Sequence, residues 1–240
     1  MSIAQKVAVI TGASQGIGAG LVEGYRKLGY AVVANSRSIG NSTDPEVFAV
    51  AGDISRPGVG EHVIASAVRR FGRIDTVINN AGIFVAKPFT DYTDEDFDSV
   101  TGVNVRGFFE VSRAALKVLT EQGDGGHIVN ISTSLVDQAN SQVPSVLAAL
   151  TKGGLNAASR SLAVEYAARG IRVNTVALGI VRTPMHNDAS EETLAALASL
   201  HPVGRLGETS DVVDAVLYLE RAPFVTGEIL HVDGGQSAGH

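Results

Sequence analysis

Apolar residues along this chain gather in short continuous runs, separated by longer stretches in which apolar positions recur with a helical period. The runs are four to seven residues long, and most lack the alternation of a half-exposed strand. Strands that are apolar on both faces are typical of a parallel sheet covered by helices on each side. The runs that predict strands are KVAVI (6–10), AVVAN (31–35), VFAV (47–50), TVIN (76–79), HIVNI (127–131), RVNTVAL (172–178) and EILHVD (228–233).

The stretches between the runs predict amphipathic helices, because their apolar residues are spaced three and four apart. Strand and helix therefore alternate, which is typical of a doubly wound α/β sheet with right-handed crossovers. We predict a Rossmann-like fold of about seven strands with helices on both faces. No linker divides the chain, so one dinucleotide-binding domain is expected over residues 1–240. The helical stretches are 18–29, 59–72, 105–122 and 155–170.

Composition narrows the class of protein. A length of 240 residues, 45% hydrophobic content and 27 glycines fit one compact domain. The absence of cysteine excludes disulfides, thiolate nucleophiles and cysteine-ligated metals, and we expect no metal site. A net charge of -6 with scattered basic residues argues against a nucleic-acid partner.

The N-terminal sequence MSIAQKVAVITGAS does not have the pattern of a secretory signal. No later window of about 18 uninterrupted apolar residues is found. We expect a cytoplasmic protein without a membrane partner.

One long segment departs from the alternation of strand and helix. It is TPMHNDASEETLAALASLHPVGRLGE, which follows the sixth predicted strand. Long insertions at strand ends are often lids or substrate loops, and we predict a substrate loop at about 183–207. A surface helix with flexible ends is the alternative.

The first predicted strand runs directly into TGASQGIG, at residues 11–18. Glycines at Gly12, Gly16 and Gly18 let the backbone turn sharply and approach a pyrophosphate, which then lies at the positive end of a helix dipole. The position between strand and helix makes this a dinucleotide-binding signal.

The end of the second strand indicates which dinucleotide fits. An acidic residue there would bond the adenosine ribose and repel a phosphate, but the sequence is NSRS, at 35–38. Ser36 and Arg37 offer a hydroxyl and a cation for a 2′-phosphate, so NADP(H) is favoured over NAD(H). A solvated surface arginine is the alternative. Asp53, after the third strand, is placed to accept from the adenine amino group.

A series of short motifs follows in order along essentially the whole chain: TGxxxGIG, DIS, NNAG, an asparagine in VNV, hydroxyls after HIVNI, a lysine in TKGGL and a closing VTGEILHVDGG. This series resembles the short-chain dehydrogenase/reductase family. The resemblance implies an enzyme that moves a hydride between a nicotinamide and a carbonyl or alcohol carbon of a small substrate. It also implies a homotetramer or homodimer.

The resemblance also implies roles for individual residues. Lys152 would bind the nicotinamide ribose, and Asn104 would hold a water in a proton relay. The carbonyl-orienting serine of the family corresponds to Thr133, with Ser132 and Ser134 on either side, and any of these hydroxyls could point inward. The catalytic residues that we predict are Asn104, Thr133, Ser134 and Lys152. The cofactor contacts that we predict are Gly12, Ser14, Gln15, Gly16, Ile17, Gly18, Ser36, Arg37, Asp53, Ile54, Asn80, Ala81, Gly82, Lys152, Gly179, Val181 and Thr183.

The chain departs from the family pattern where the proton should be supplied. The family has a tyrosine four residues before the lysine, and this chain has Ala148 there. A smaller departure is Leu178 before Gly179, where the family commonly has proline before the glycine next to the nicotinamide carboxamide. We expect backbone contacts from Gly179 to Val181 and the hydroxyl of Thr183 to reach the carboxamide, so that cofactor binding is kept.

Two hypotheses follow from the missing tyrosine. The first is an NADPH-dependent carbonyl reductase, or the reverse dehydrogenase, with an atypical proton donor: water ordered by Asn104 and Lys152, Lys152 itself, or His186. The second is an NADP(H)-binding protein without efficient turnover, acting as a sensor or oligomer partner.

Overall fold

The fold is built on one sheet of seven parallel strands in a computed structural model that describes residues 5–184 and 190–239. The strands are β1 (Val7–Thr11), β2 (Ala31–Ser36), β3 (Val47–Ala51), β4 (Thr76–Asn79), β5 (Gly126–Thr133), β6 (Ile171–Leu178) and β7 (Ile229–Val232). Their order across the sheet is β3-β2-β1-β4-β5-β6-β7, and every pair of neighbours is parallel. The predicted fold class is confirmed.

The helices between the strands are α1 (Gly16–Lys27), α2 (Val59–Phe71), α3 (Asp94–Thr101), α4 (Phe108–Gln122), α5 (Val146–Tyr166), α6 (Glu191–Ala198) and α7 (Thr209–Arg221). The periodicity of apolar residues did not single out α3, which is short and polar. A capping box between Thr93 and Asp96 starts it. A π-helix over Gly102–Gly107 joins α3 to α4.

Apolar cores lie on both faces of the sheet. One core packs β-strand residues against α2, α4 and α5, and the other packs them against α1 and α7. Because each central strand is covered twice, its residues are apolar on both sides, which explains the continuous apolar runs.

The strand order reverses between β1 and β4. The chain passes from β1 outward to β3 and then returns to β4 on the other side of β1. In such sheets the ligand crevice lies beyond the carboxyl ends of the two strands that flank the reversal. The carboxyl ends of β1 and β4 carry the TGASQGIG and NNAG segments.

The predicted substrate loop contains the helix α6 in the part that the structure describes. Residues 185–189, including His186, lie outside the described residues. No helix among those described combines the length and apolar content needed to cross a lipid bilayer.

A buried polar cluster closes the opposite end of the strands. The carboxylate of Glu220, on α7, accepts hydrogen bonds from Tyr25 (3.1 Å), Tyr30 (2.9 Å) and Thr76 (3.0 Å). His127 Nδ1 lies 2.8 Å from the same carboxylate. These five residues, which we call the Glu220 cluster, join α7 to α1 and to the amino-terminal ends of β4 and β5.

The contacts of His127 define its protonation. Arg172 and Asn174 approach Nε2 at 3.4 and 3.1 Å, and because a guanidinium only donates, Nε2 accepts. Nδ1 therefore carries the proton that is donated to Glu220. Burial lowers the pKa of His127 and favours this neutral ring. Burial alone would raise the pKa of Glu220, but hydrogen bonds from His127, Tyr30 and Thr76 outweigh it and lower the pKa below its ordinary value.

We predict that Glu220→Gln removes a pH-dependent part of the stability. The folded-state pKa of Glu220 is below its ordinary value of 4.5, so ionised Glu220 stabilises the fold fully above that pH. This contribution, on the order of 2 kcal/mol for a carboxylate that accepts several buried hydrogen bonds, is lost progressively as the pH falls below 4.5 toward the lowered folded-state pKa. Urea unfolding of both proteins between about pH 6 and about pH 3 measures it.

The exposed Glu23, on α1, gives a matched control. Glu23→Gln should keep the wild-type dependence of unfolding free energy on pH. The assignment fails if Glu220→Gln and the wild type lose stability in parallel as the pH falls.

Candidate active site

The segment between β1 and α1 is a tight glycine-rich turn at the N-terminus of a helix. Gly12 and Gly16 have φ of +65° and +53°, which L side chains rarely adopt. A Cβ on Gly18 would lie 2.1 Å from the Gly12 carbonyl oxygen, so the helix can approach the turn this closely only with glycine there. Gln15 begins α1 without a capping side chain, and no acidic residue lies in the first turn. The first N–H groups of α1 are therefore available to a phosphate.

The NNAG segment is fixed against this turn by Thr11, which our sequence analysis did not single out. The Thr11 hydroxyl accepts the backbone N–H groups of Asn80 (3.1 Å) and Ala81 (3.0 Å). The Asn80 amide donates to the carbonyl oxygens of Thr11 (2.9 Å) and Gly12 (3.1 Å). The two predicted cofactor segments are thus one rigid unit, and Thr11 was recognisable only as the first letter of TGASQGIG.

A polar corner lies at the ends of β2 and β3. The Ser36 hydroxyl is buried there and has no hydrogen-bond partner among residues 5–184 and 190–239. Arg37, next to it, is exposed. Hydrogen bonds from Ser55 lower the pKa of Asp53, and the positive charge of Arg37 adds to this effect. An unsatisfied hydroxyl beside a cation fits the 2′-phosphate of NADP(H).

Asn104 lies in the π-helix, directly before the stretch 105–122 for which the sequence predicts a helix. Its side-chain oxygen accepts the Ile83 N–H at 3.0 Å, and its amide donates to the Ile83 carbonyl (3.1 Å) and the Thr151 hydroxyl (3.2 Å). Asn104 thereby joins the chain after β4 to the residue before Lys152. π-Helical turns occur frequently at functional sites, because they interrupt the regular hydrogen bonding of the helix.

The ammonium of Lys152 extends into the same crevice. Nζ donates to the Ile131 carbonyl at 2.7 Å, and a Cβ on Gly82 would lie 3.3 Å from it. The same Cβ would lie 3.5 Å from the Asn104 side-chain oxygen, so Lys152 and Asn104 meet beside the NNAG segment. Burial lowers the pKa of Lys152 to about 8.

Ala148 lies one helical turn before Lys152 on α5 and is only 4% exposed. Residues four apart on a helix share a face, so the neighbour of Lys152 toward the N-terminus is a methyl group. The position offers no group that can donate a proton.

The five tyrosines of the chain have other surroundings. Tyr25 and Tyr30 belong to the Glu220 cluster, at the opposite end of the strands. Tyr92 donates to the carbonyl of residue 85 at 2.7 Å. Tyr166 lies in the last turn of α5, and Tyr218 is 57% exposed on α7. None of the five replaces the phenol that the family places beside the lysine.

The three hydroxyls at the carboxyl end of β5 have different surroundings. The Ser132 hydroxyl is buried and has no hydrogen-bond partner among the residues that the structure describes. Ser134 is fully buried, and its oxygen lies 3.1 Å from the Leu178 carbonyl and 3.0 Å from Gln236 Oε1. The structure therefore departs from our expectation that Ser134 faces a substrate, because its hydroxyl is used in the interior. Thr133 is half-buried and accepts the Leu135 N–H at 3.3 Å, so its own proton remains available to a carbonyl oxygen.

The segment after β6 completes the crevice. A Cβ on Gly16 would lie 3.4 Å from Thr183, so this predicted carboxamide contact reaches the glycine turn. Val181 forms a bridge with Gly207, and Ile180 N–H donates to His201. Sequence reasoning missed His201 and Gln236. The sequence offered one indication of these two residues, which is that each is a polar residue close to a turn glycine, in HPVG and in DGGQ. The structure shows that both are buried.

The arrangement can hold an extended dinucleotide and bring a hydroxyl and a lysine to one end of it. In a complex with such a dinucleotide, the glycine turn would bind the phosphates and the corner at Ser36 and Arg37 would meet a ribose phosphate. Lys152 would be available to ribose hydroxyls. Thr133 is available to a substrate oxygen.

Comparison with known proteins agrees with this geometry. Residues 12–237 match the family profile described as enoyl-(acyl carrier protein) reductase. An uncharacterized oxidoreductase of Methylorubrum extorquens is 37% identical over 96% of this chain and 97% of its own length.

Two solved structures have the same fold along nearly their whole length. ElxO with NADP bound superposes with a TM-score of 0.89 at 30% identity, covering 98% of this chain and 100% of the other. The 3-ketoacyl-(acyl-carrier-protein) reductase of Brucella melitensis complexed with NADH gives 0.88 at 30% identity, covering 97% and 98%. Since the profile spans nearly the whole chain and the relatives match from end to end, this chain belongs to the short-chain dehydrogenase/reductase family of oxidoreductases.

Proposed function

We propose that the chain is an NADP(H)-dependent oxidoreductase that moves a hydride between nicotinamide and a small carbonyl or alcohol substrate, with an atypical proton donor. The observation that carries the proposal is the approach of Lys152 Nζ and the Asn104 side-chain oxygen to Gly82, at the end of a crevice whose other end is the glycine turn. Burying an ammonium that donates to one carbonyl is costly, and the hydroxyls of a bound ribose would supply further acceptors.

The choice of cofactor rests on the corner at the end of β2. The Ser36 hydroxyl, which has no partner in the described part of the chain, and the neighbouring Arg37 favour a 2′-phosphate. Among the structural neighbours, ElxO was solved with NADP and the Brucella reductase with NADH, so the fold alone accommodates either cofactor. The preference for NADP(H) is therefore argued from this chain's own side chains.

When bound, the cofactor supplies or accepts the hydride. Lys152 holds the ribose hydroxyls with its ammonium, and Thr133 donates to the carbonyl oxygen and fixes the face that is presented. Asn104 keeps α5 at a fixed distance from the chain after β4 through Thr151 and Ile83.

In reduction, a proton must reach the substrate oxygen as the hydride reaches carbon. A cavity of about 10 Å³, room for one water, borders Thr11, Asn79, Asn104 and Lys152. A water that takes its proton from the Lys152 ammonium, with its lowered pKa, is the donor that this geometry favours. Lys152 as the direct donor and His186, outside the described residues, remain the alternatives.

A second function is favoured by Ala148. If no proton reaches the substrate, the chain keeps its nucleotide site and acts as a binding protein, either as a sensor or as an oligomer partner. Self-association is supported by apolar side chains on α4 and α5, where Phe109, Leu150 and Val164 are 54%, 60% and 81% exposed. A homotetramer or homodimer would cover them.

Turnover distinguishes the two functions. We expect NADPH to bind, as followed by its fluorescence, and to be oxidised slowly with a panel of ketones, diketones and imines. Ala148→Tyr should raise kcat by about 10²- to 10⁴-fold, because a phenol beside Lys152 restores general acid catalysis.

Ala157→Tyr is the matched control, because residue 157 is an exposed alanine on the same helix. It should leave kcat unchanged. If NADPH binds but no substrate causes its oxidation, in the wild type or in Ala148→Tyr, the result would contradict the oxidoreductase function and favour the binding protein.

The cofactor preference can be tested separately at Arg37. Arg37→Asp should weaken NADPH far more than NADH, since only NADPH carries the 2′-phosphate that a carboxylate repels. Titration calorimetry with both nucleotides measures the two affinities. Arg70→Asp, at an exposed position of α2, is the control of equal charge change. An equal loss of affinity for NADPH and NADH in Arg37→Asp would contradict the proposed contact between Arg37 and the 2′-phosphate.

The role of Lys152 predicts a dependence of affinity on pH. The ammonium binds ribose hydroxyls as a charged donor, so NADPH affinity should fall as the pH rises through about 8 and the group becomes neutral. Titrations of wild type and Lys152→Met between about pH 6.5 and about pH 9.5 would measure this. A wild-type affinity as flat as that of Lys152→Met would show that Lys152 does not hold the ribose.

A further inference from the structure

His201 is a buried histidine in the segment that leads from α6 back to the core. Only 2% of it is exposed, although the residues that follow it, 202–204, are exposed. Its ring lies between the carboxyl end of β6 and the end of α6, where the predicted substrate loop meets the predicted carboxamide contacts.

Both ring nitrogens of His201 are engaged with backbone groups. Nε2 accepts the Ile180 N–H at 2.9 Å. Nδ1 lies 3.0 Å from the Leu197 carbonyl, which can only accept, so Nδ1 carries the proton. One neutral imidazole thus connects α6 to the segment after β6.

The surroundings of the ring are tightly packed. A Cβ on Gly179 would lie 2.7 Å from His201 Nε2, and a Cβ on Gly234 would lie 3.2 Å from His201 Cβ. Both glycines leave room for the imidazole, so its position is defined by packing as well as by hydrogen bonds.

The other side of the same segment is held by Gly207. The Gly207 N–H donates to the Ile180 carbonyl at 2.9 Å, and the Arg182 N–H donates to the Gly207 carbonyl at 2.8 Å. The peptide of Val181, a predicted cofactor contact, therefore lies between two anchored neighbours. Both anchors, His201 and Gly207, come from the substrate loop or its end.

We infer that His201 is a positioning residue that couples the substrate loop to the nicotinamide end of the cofactor site. This inference rests on the proposed NADP(H)-dependent function. A shift of α6 moves the Leu197 carbonyl, and through the ring it moves the Ile180 N–H and the neighbouring carboxamide contacts. Conversely, a ligand that bears a nicotinamide stabilises the position of the segment and hence that of α6.

The coupling predicts that a change at residue 201 weakens the binding of ligands that carry a nicotinamide and of no others. His201→Asn keeps an amide donor for the Leu197 carbonyl but is too short to accept from Ile180, whereas His201→Gln places an acceptor near the position of Nε2. NADPH should bind about tenfold more weakly to the Asn variant, the size of one lost buried hydrogen bond. The Gln variant should recover most of this loss.

The control ligand is 2′-phospho-ADP-ribose, which has the same phosphates and adenosine but no nicotinamide. Its affinity, measured by calorimetry, should stay within about twofold in both variants. His62→Leu, at an exposed position of α2, is the control histidine. Equal weakening of both ligands by His201→Asn would show a merely structural residue, and unchanged NADPH binding would overturn the coupling.

A measurement on the unaltered protein avoids any question of variant folding. NADPH should slow hydrogen exchange of the amides of α6 more than saturating 2′-phospho-ADP-ribose does. Equal protection by the two ligands would overturn the inference. Failure of the wild type to bind either ligand would instead contradict the proposed function itself.

Discussion

The width of the crevice depends on the hydrogen bonds that the Thr11 hydroxyl makes. This hydroxyl accepts the N–H groups of two successive residues after β4, while the Asn80 side chain bonds back to the end of β1. The opening between β1 and β4 follows from the reversal of strand order, but its width is defined by these bonds. The glycine turn, the NNAG segment and the ammonium that approaches Gly82 keep their relative positions because this junction is rigid.

The protein compensates for the buried charge of Lys152 only in part. One carbonyl, that of Ile131, accepts from Nζ, which is less than the three acceptors that an ammonium can use. When an ammonium has lost its hydrogen bonds to water and the protein replaces only some of them, its pKa is lowered and it has a strong tendency to bind polar ligands. The clamp formed by Asn104 and Thr151 holds α5 in place, so the lysine cannot simply turn outward with its helix.

The fold could be predicted from the sequence because it depends on local pattern, whereas parts of the site could not. The run TVIN became β4 with the same bounds, since apolar continuity reports burial on both faces. The orientation of Ser134 depends on Gln236, a partner 102 residues away, and the π-helix at Asn104 depends on contacts with Ile83. The Glu220 cluster likewise joins residues that no spacing connects.

The alanine at position 148 separates two contributions to the rate that the family usually combines. General acid catalysis is worth about 10²- to 10⁴-fold, or roughly 3–5 kcal/mol of barrier, whereas holding two reactants in register is worth about 7–11 kcal/mol. The residues that would hold the reactants, at the glycine turn, Lys152 and Thr133, are all present and connected. Under the proposed function, the rate enhancement that comes from holding the reactants would be kept when the phenol is absent. The turnover of the chain is then expected to depend on how well water or lysine delivers one proton.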